Sequence, residues 1–283
     1  MTTTISNSNL TAQINHFGAE LFSLKNSKNK EYIWEGNPEF WGKHSPILFP
    51  IVGTLKNNSY FHNRIEYHLP RHGFAREMEF ELIEKTEKSA TFSLISSVET
   101  RKAYPFDFEL LVCYSLVENK LNIDYKVINK NDSIMPFSIG AHPAFALTGN
   151  FENYSLEFQQ QEILKYHLLE DGLISNSTNE IPLDNRQLGL NYLLFENDAL
   201  VLKTLKSKSI TIIQNTVPLL KVNFTDFPNL GIWTVKNGPF LCIEPWFGYS
   251  DTLEEYDTIS KKEGIQLLEK NETFKSNFSI EIL

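Results

Sequence analysis

The feature that most constrains this chain is its hydropathy rhythm: short alternating or apolar runs rich in Ile, Val, Phe, Tyr and Thr, separated by polar turns. EFELIEK, SATFSLISS, YSLEFQQ, DALVLKTL, SITIIQ and FKSNFSIEIL are examples. Alternation with a period of two is the mark of strands with one covered face. Phe108 to Asn129 reads as one long hairpin turning at Glu118-Asn119-Lys120, with Leu121, Ile123, Tyr125 and Val127 on its covered side. No apolar stripe at helical spacing persists over three turns, and the best short helical candidate lies at 251–256. Many strands without intervening helices predict an all-β chain, a large antiparallel β-sandwich. No fixed-period repeat and no Pro-, Gly- or Ser-rich linker divides the 283 residues, so a single domain over 1–283 is expected. The least patterned stretch, 171–190, is expected to be a surface excursion or the rim of a site.

Charge and cysteine use narrow the function classes. Asp and Glu number 35 against 26 Lys and Arg, a net charge of -9, which disfavours a nucleic-acid partner. Cys113 and Cys242 each sit in an apolar run, as buried thiols of a reducing compartment do. The start, MTTTISNSNL, lacks a basic segment followed by an apolar one, and no apolar run reaches the roughly 18 residues of a membrane span. A cytoplasmic location without membrane contact is expected. No phosphate-binding loop, dinucleotide fingerprint or Cys/His ligand cluster is visible, so no cofactor and no metal are expected.

Three segments break the strand rhythm with polar groups that a plain sandwich does not need. They are Leu69-Pro-Arg-His-Gly-Phe-Ala-Arg76, Phe137-Ser-Ile-Gly-Ala-His-Pro-Ala-Phe145 and Phe240-Leu-Cys-Ile-Glu-Pro-Trp-Phe-Gly248. Singly, each has a bland reading: a hydrogen-bonded core His, a solvated Glu at a strand end, an ordinary turn. Together, His72, His142 and Glu244 form the inventory of an acid–base site, because imidazole and carboxylate hold opposite protonation states near neutrality. Phe74, Phe145, Trp246 and Phe247 adjoin them. Flat rings beside polar groups suit a pyranose, whose C–H face packs on aromatics.

These segments resemble the signature positions of the aldose 1-epimerase (galactose mutarotase) family, and its bacterial LacX-like branch in particular. Leu48 to Gly53 (LFPIVG), Pro70 to Arg76 (PRHGFAR), His142 to Phe145 (HPAF) and Glu244 to Trp246 (EPW) occur in the family's order. The resemblance implies a galactose mutarotase-like supersandwich that binds a small-molecule sugar, a free hexose or a sugar phosphate, in a cleft. It implies that Glu244 takes the anomeric hydroxyl proton, that His142 protonates the ring oxygen, and that His72 binds and assists. We expect the acid and base on opposite sides of the anomeric centre. For substrate binding it points to Arg76, to Lys43 (where a relative often has Arg), to Asp198 with Asp226 behind it as the carboxylate that holds hydroxyls, and to Trp246 and Phe145. Arg71 with Arg76 could serve a phosphate.

Other classes remain open from the residues alone. A non-catalytic carbohydrate-binding protein would share the strands and aromatics. A cupin-type metal enzyme would use His72, His142 and Glu244 as ligands, but a His-x-His pair is missing. A retaining glycosidase needs two close carboxylates, and only Glu244 is nominated.

Overall fold

The structure, a computed structural model, describes residues 1–254, 256 and 258–283. It is 51% strand and 8% helix, which settles the all-β class. Two large antiparallel sheets dominate. One has nine strands in the order Gln187–Gly189, Tyr154–Phe158, Ser209–Gln214, Val217–Asn223, Thr273–Ile282, Lys120–Asn129, Phe108–Val117, Ser89–Ile95 and Glu81–Lys85. The other runs Leu173–Pro182, Ile163–Glu170, Leu200–Leu202, Asn229–Trp233, Phe240–Phe247, Ile139–Ala141 and Ile47–Leu48, with Ala144–Ala146 also paired to Phe240–Phe247. A three-stranded sheet (Thr2–Ser6, Leu10–Asn15, Leu21–Asn26) and two small ribbons flank them.

Alternation builds the core between the two sheets. In the hairpin Phe108–Val117/Lys120–Asn129, Leu110, Val112, Leu121, Ile123, Tyr125 and Val127 are buried, while the residues between them are not fully covered. From the facing sheet, Leu200, Leu202, Leu230, Ile232, Leu241 and Ile243 join the same apolar cluster. Burying this cluster is the main favourable term of folding.

Two expectations need correction. The stretch 171–190 is no loose excursion: Leu173–Pro182 is a ten-residue strand pairing with Ile163–Glu170 at the sheet edge. It lies at the rim with mostly uncovered faces, so its Ser, Asn and Thr residues hide the apolar signal. A short helix, Val98–Ala103, is also present, too short to show an apolar stripe over three turns. Ser97 caps it by accepting from Thr100 N, and the Thr100 hydroxyl accepts from Ser97 N in return. The helical candidate at 251–256 includes Glu255, which lies outside the described residues; its described part is not helical. Cys113 and Cys242 are free thiols on different sheets; Cys242 is buried as expected, whereas Cys113 is only half-buried, on the outer face of its strand.

One buried ion pair ties the chain's last quarter to the segment after Gly53. Lys262 Nζ lies 2.8 Å from Asp251 Oδ1, with side-chain exposures of 0% and 1%, and also donates to the Tyr249 carbonyl. The other oxygen of Asp251 accepts from Lys56 N and from the Tyr256 hydroxyl, and Asp251 N donates to Thr54 O. Removing one partner strands the other charge in a dry site. Lys262→Met should therefore lower stability by about 3–5 kcal/mol. Urea unfolding should show it as a lower midpoint at unchanged slope; a midpoint like that of the wild type would mean that the pair is dispensable.

Candidate active site

The site grows from the face of the eight-stranded sheet turned away from the large core. Along Phe240–Phe247, Leu241 and Ile243 point into the core, so Cys242, Glu244 and Trp246 point to the other face. The neighbouring strand repeats this: Leu230 and Ile232 go inward, while Gly231 stands opposite Glu244 and Trp233 opposite Cys242. On the far side the ladder is interrupted. Ile139–Ala141 pairs with Trp246 and Phe247, and Ala144–Ala146 pairs with Phe240 to Cys242. Pro143 and Pro245 lack the N–H groups that would close the gap. His142 occupies that gap beside Glu244.

Its Nε2 lies 3.1 Å from Glu244 Oε2, with side chains 9% and 2% exposed. The distance is that of an ion pair, but the angles are not those of a hydrogen bond. Glu244 Oε2, His142 Nδ1 and Trp246 Nε1 are buried polar atoms without a hydrogen-bond partner. Unsatisfied buried groups are costly, and where they persist they ask for a function. The two groups stand side by side, close enough to reach two oxygens of one anomeric carbon.

Burial sets their protonation. Loss of water raises the Glu244 carboxyl well above its ordinary range; nearby Arg71 opposes this and Asp198 adds to it. Loss of water likewise pushes the His142 imidazole down to about 3, with Arg71 and Arg76 contributing. Each group resists its charged form, so burial favours a neutral acid beside a neutral imidazole over the separated charges.

His72 enters from a tight turn. Its φ is +69° and that of Gly73 is +70°, left-handed geometry that a β-carbon makes unfavourable. A Cβ on Gly73 would lie 2.2 Å from the Phe49 carbonyl oxygen. The turn is held by His72 N donating to Gly53 O, and Gly53 N donates back to His72 Nδ1 at 3.0 Å. With Nδ1 accepting, the neutral ring carries its proton on Nε2. Burial, with His142 and the two arginines adding to it, holds the His72 pKa well below the usual imidazole value. Arg71 Nε stands 3.3 Å from His72 Nε2. The Arg71 N–H is directed at that nitrogen, so the ring faces a donor on each side, and one neutral tautomer can accept only one of the two, the shorter being that from Gly53.

The cleft holds about 340 Å³ and is lined by Trp41, Arg71, His72, Arg76, His142, Asp198, Ala199, Trp233, Glu244 and Trp246. Trp41 stacks on His142 at 4.7 Å between centroids, and Trp233 meets it edge-on at 5.9 Å. Trp246 lies flat because two glycines make room for it. A Cβ on Gly231 would come within 2.4 Å of its ring, and one on Gly140 within 2.6 Å.

Glu244, His142, His72, Arg76, Asp198 and Trp246 are thus brought together. Arg76 Nη2 donates to the Arg71 carbonyl, leaving its buried Nε without a hydrogen-bond partner. Asp198 accepts from Ala199 N and lies 3.9 Å from Arg71 Nη1. Three nominees lie elsewhere. Lys43 is bound to Glu77 at 2.7 Å outside the lining. Phe145 is fully buried in the core, since it pairs with inward-facing Leu241. Asp226 accepts from Asn277 on the other sheet. Trp41 and Trp233 were missed: nothing local separates them from core tryptophans, although Trp233 is set opposite Cys242 by strand register.

The family described as Aldose 1-epimerase matches residues 1–280. The chain is 37% identical to the plasmid-borne protein LacX of Lactococcus lactis subsp. lactis, and also to its chromosomal form, over 100% of each chain. A galactose mutarotase related enzyme from Lactobacillus acidophilus is 34% identical, with a TM-score of 0.95 over 100% of this chain and 97% of that one. A galactose mutarotase-like protein from Lactobacillus casei is 30% identical, with a TM-score of 0.94 over 100% of both.

If the two glycines seat Trp246, Gly231→Ala must displace its indole. Overpacking of this kind costs about 1–3 kcal/mol, and the near-ultraviolet circular dichroism should change with it. An unchanged spectrum and melting temperature would show that the slot is not needed.

Proposed function

This chain belongs to the aldose 1-epimerase family, and on that premise we propose that it is a mutarotase, exchanging the α and β anomers of a hexose or related sugar by acid–base chemistry in the cleft. The observation that carries the reading is the 3.1 Å separation of His142 Nε2 and Glu244 Oε2. Ring opening takes a proton from the anomeric hydroxyl and gives one to the ring oxygen, and both oxygens are bonded to the same carbon. Acid and base must therefore be neighbours.

The proton count closes. In the form with carboxylate and imidazolium, Glu244 takes the O1 proton while His142 gives its own to O5. The C1–O5 bond breaks and C1 becomes an aldehyde. The dyad is now carboxylic acid and neutral imidazole, the form that burial favours. After rotation about C1–C2, His142 takes the O5 proton, Glu244 returns one to O1, and the ring closes as the other anomer. One proton remains on the dyad throughout. The Nε2–H of His72 and the guanidinium of Arg71 supply donors for sugar oxygens. Trp41, Trp233 and Trp246 supply apolar walls. Arg71 and Arg76 are the cations a phosphate would meet, so the trial substrates include free hexoses and hexose 6-phosphates.

Anomer exchange measured by NMR provides the test. Glu244→Gln keeps the shape but cannot accept a proton, so kcat should fall by at least about a hundredfold with KM nearly unchanged. More than half of wild-type exchange remaining would overturn the mechanism. The pH profile has a definite sign. A second proton on the dyad stops turnover, and because His142 is pushed down to about 3, the acid limb lies well below the 6.5 of free imidazole. Loss of the single proton gives the alkaline limb, set above the ordinary carboxylate range by the raised Glu244. An acid limb at the free-imidazole value would contradict this assignment.

A further inference from the structure

Cys242, beside the dyad, is a thiol that the sugar chemistry does not use. It is fully buried, two residues before Glu244 on the same face of the same strand. One ligand atom each from His142, Cys242 and Glu244 lies within 4.8 Å of the others. We propose that these three side chains form a binding site for a thiophilic divalent cation, zinc above all, and that the bound ion shuts the sugar out. That the ion binds follows from the geometry alone; that it inhibits rests on the mutarotase reading above.

The donor set argues for the metal class. One sulfur, one imidazole nitrogen and one carboxylate oxygen are a zinc-type set, whereas magnesium and calcium require oxygen ligands. Zinc bonds of about 2.0–2.3 Å place tetrahedral ligands roughly 3.3–3.8 Å apart. The nitrogen and one carboxylate oxygen already stand 3.1 Å apart, so rotation of the carboxylate and thiol closes the set. Glu244 Oε2 is buried without a hydrogen-bond partner, as an atom waiting for a ligand would be. The entry path is the cleft, which His142 and Glu244 line. Three protein ligands leave a fourth position for water.

The ion must displace protons. The Cys242 thiol releases one and the dyad releases its single shared one, while His142 binds as the neutral ring. The metal thus takes the two groups on which sugar opening depends, and it competes with substrate rather than slowing the chemistry of bound sugar. These ligands differ from a His72, His142 and Glu244 set: His72 Nδ1 is already occupied by Gly53 N, and Cys242 stands where a third ligand is needed.

The test uses the full chain, freed of metal by chelation, and two readouts. Titration with cobalt(II) should bring up a thiolate-to-metal charge-transfer band in the near ultraviolet, and Cys242→Ser should abolish it. In NMR anomer exchange, zinc should inhibit competitively with sugar. Cys242→Ser should keep its metal-free rate but need at least about tenfold more zinc for the same inhibition, since even loss of a residue behind a ligand costs about 10–100-fold in affinity. Cys242→Val, which keeps an apolar filling, serves if the serine variant does not fold. Absence of the cobalt band, or equal zinc sensitivity in wild type and variant, overturns the proposal. Because the cobalt spectrum needs no turnover, an inactive protein that still shows the band would count against the mutarotase reading and leave the metal site standing.

Discussion

The site depends on keeping a carboxyl and an imidazole out of water side by side. Either charge alone would be expensive in such a place. Side by side at 3.1 Å, they favour their neutral forms, and in the proposed mechanism moving one proton between them creates a base and an acid at once. Water around either group would abolish the effect by restoring its ordinary pKa. In the proposed mechanism the aromatic walls and the sheet beneath are therefore part of the chemistry.

The scaffold achieves this with simple devices. Strand alternation sends Leu241 and Ile243 into the core and Glu244 and Trp246 to the cleft, with Cys242 buried on the same face beside Trp34 and Phe240. Pro143 and Pro245 open the ladder where His142 needs to sit. Gly140 and Gly231 clear space for the Trp246 indole. The His72 turn is clasped by Gly53, and the chain just beyond it is fastened by Asp251 and Lys262. Rigid supports of this kind hold reacting groups in place more closely than free loops do.

Much of this was legible in the sequence. The alternation in Phe108–Asn129 gave the long hairpin, and the three segments that broke the rhythm held His72, His142 and Glu244. What stayed hidden was whatever depends on register or on distant partners. Phe145 lies three residues from His142, yet its pairing with Leu241 turns it to the core. Lys43 lies near the first motif, yet Glu77, far along the chain, takes its ammonium. Trp41 and Trp233 reach the cleft from segments in which nothing marks an aromatic ring as a cleft wall rather than core. The strand Leu173–Pro182 was missed because an edge strand with wet faces shows little apolar alternation. The side-by-side dyad is likewise a product of cross-strand pairing, which local sequence does not express.

The claim that the dyad holds one shared proton can be read directly from nitrogen-15 NMR of His142 in the free protein. The account predicts a neutral ring across the range in which free imidazole titrates, around pH 6.5, with protonation only toward the value of about 3 that burial imposes. A His142 that gains its proton near 6.5, with no response of Glu244 to the change, would contradict it.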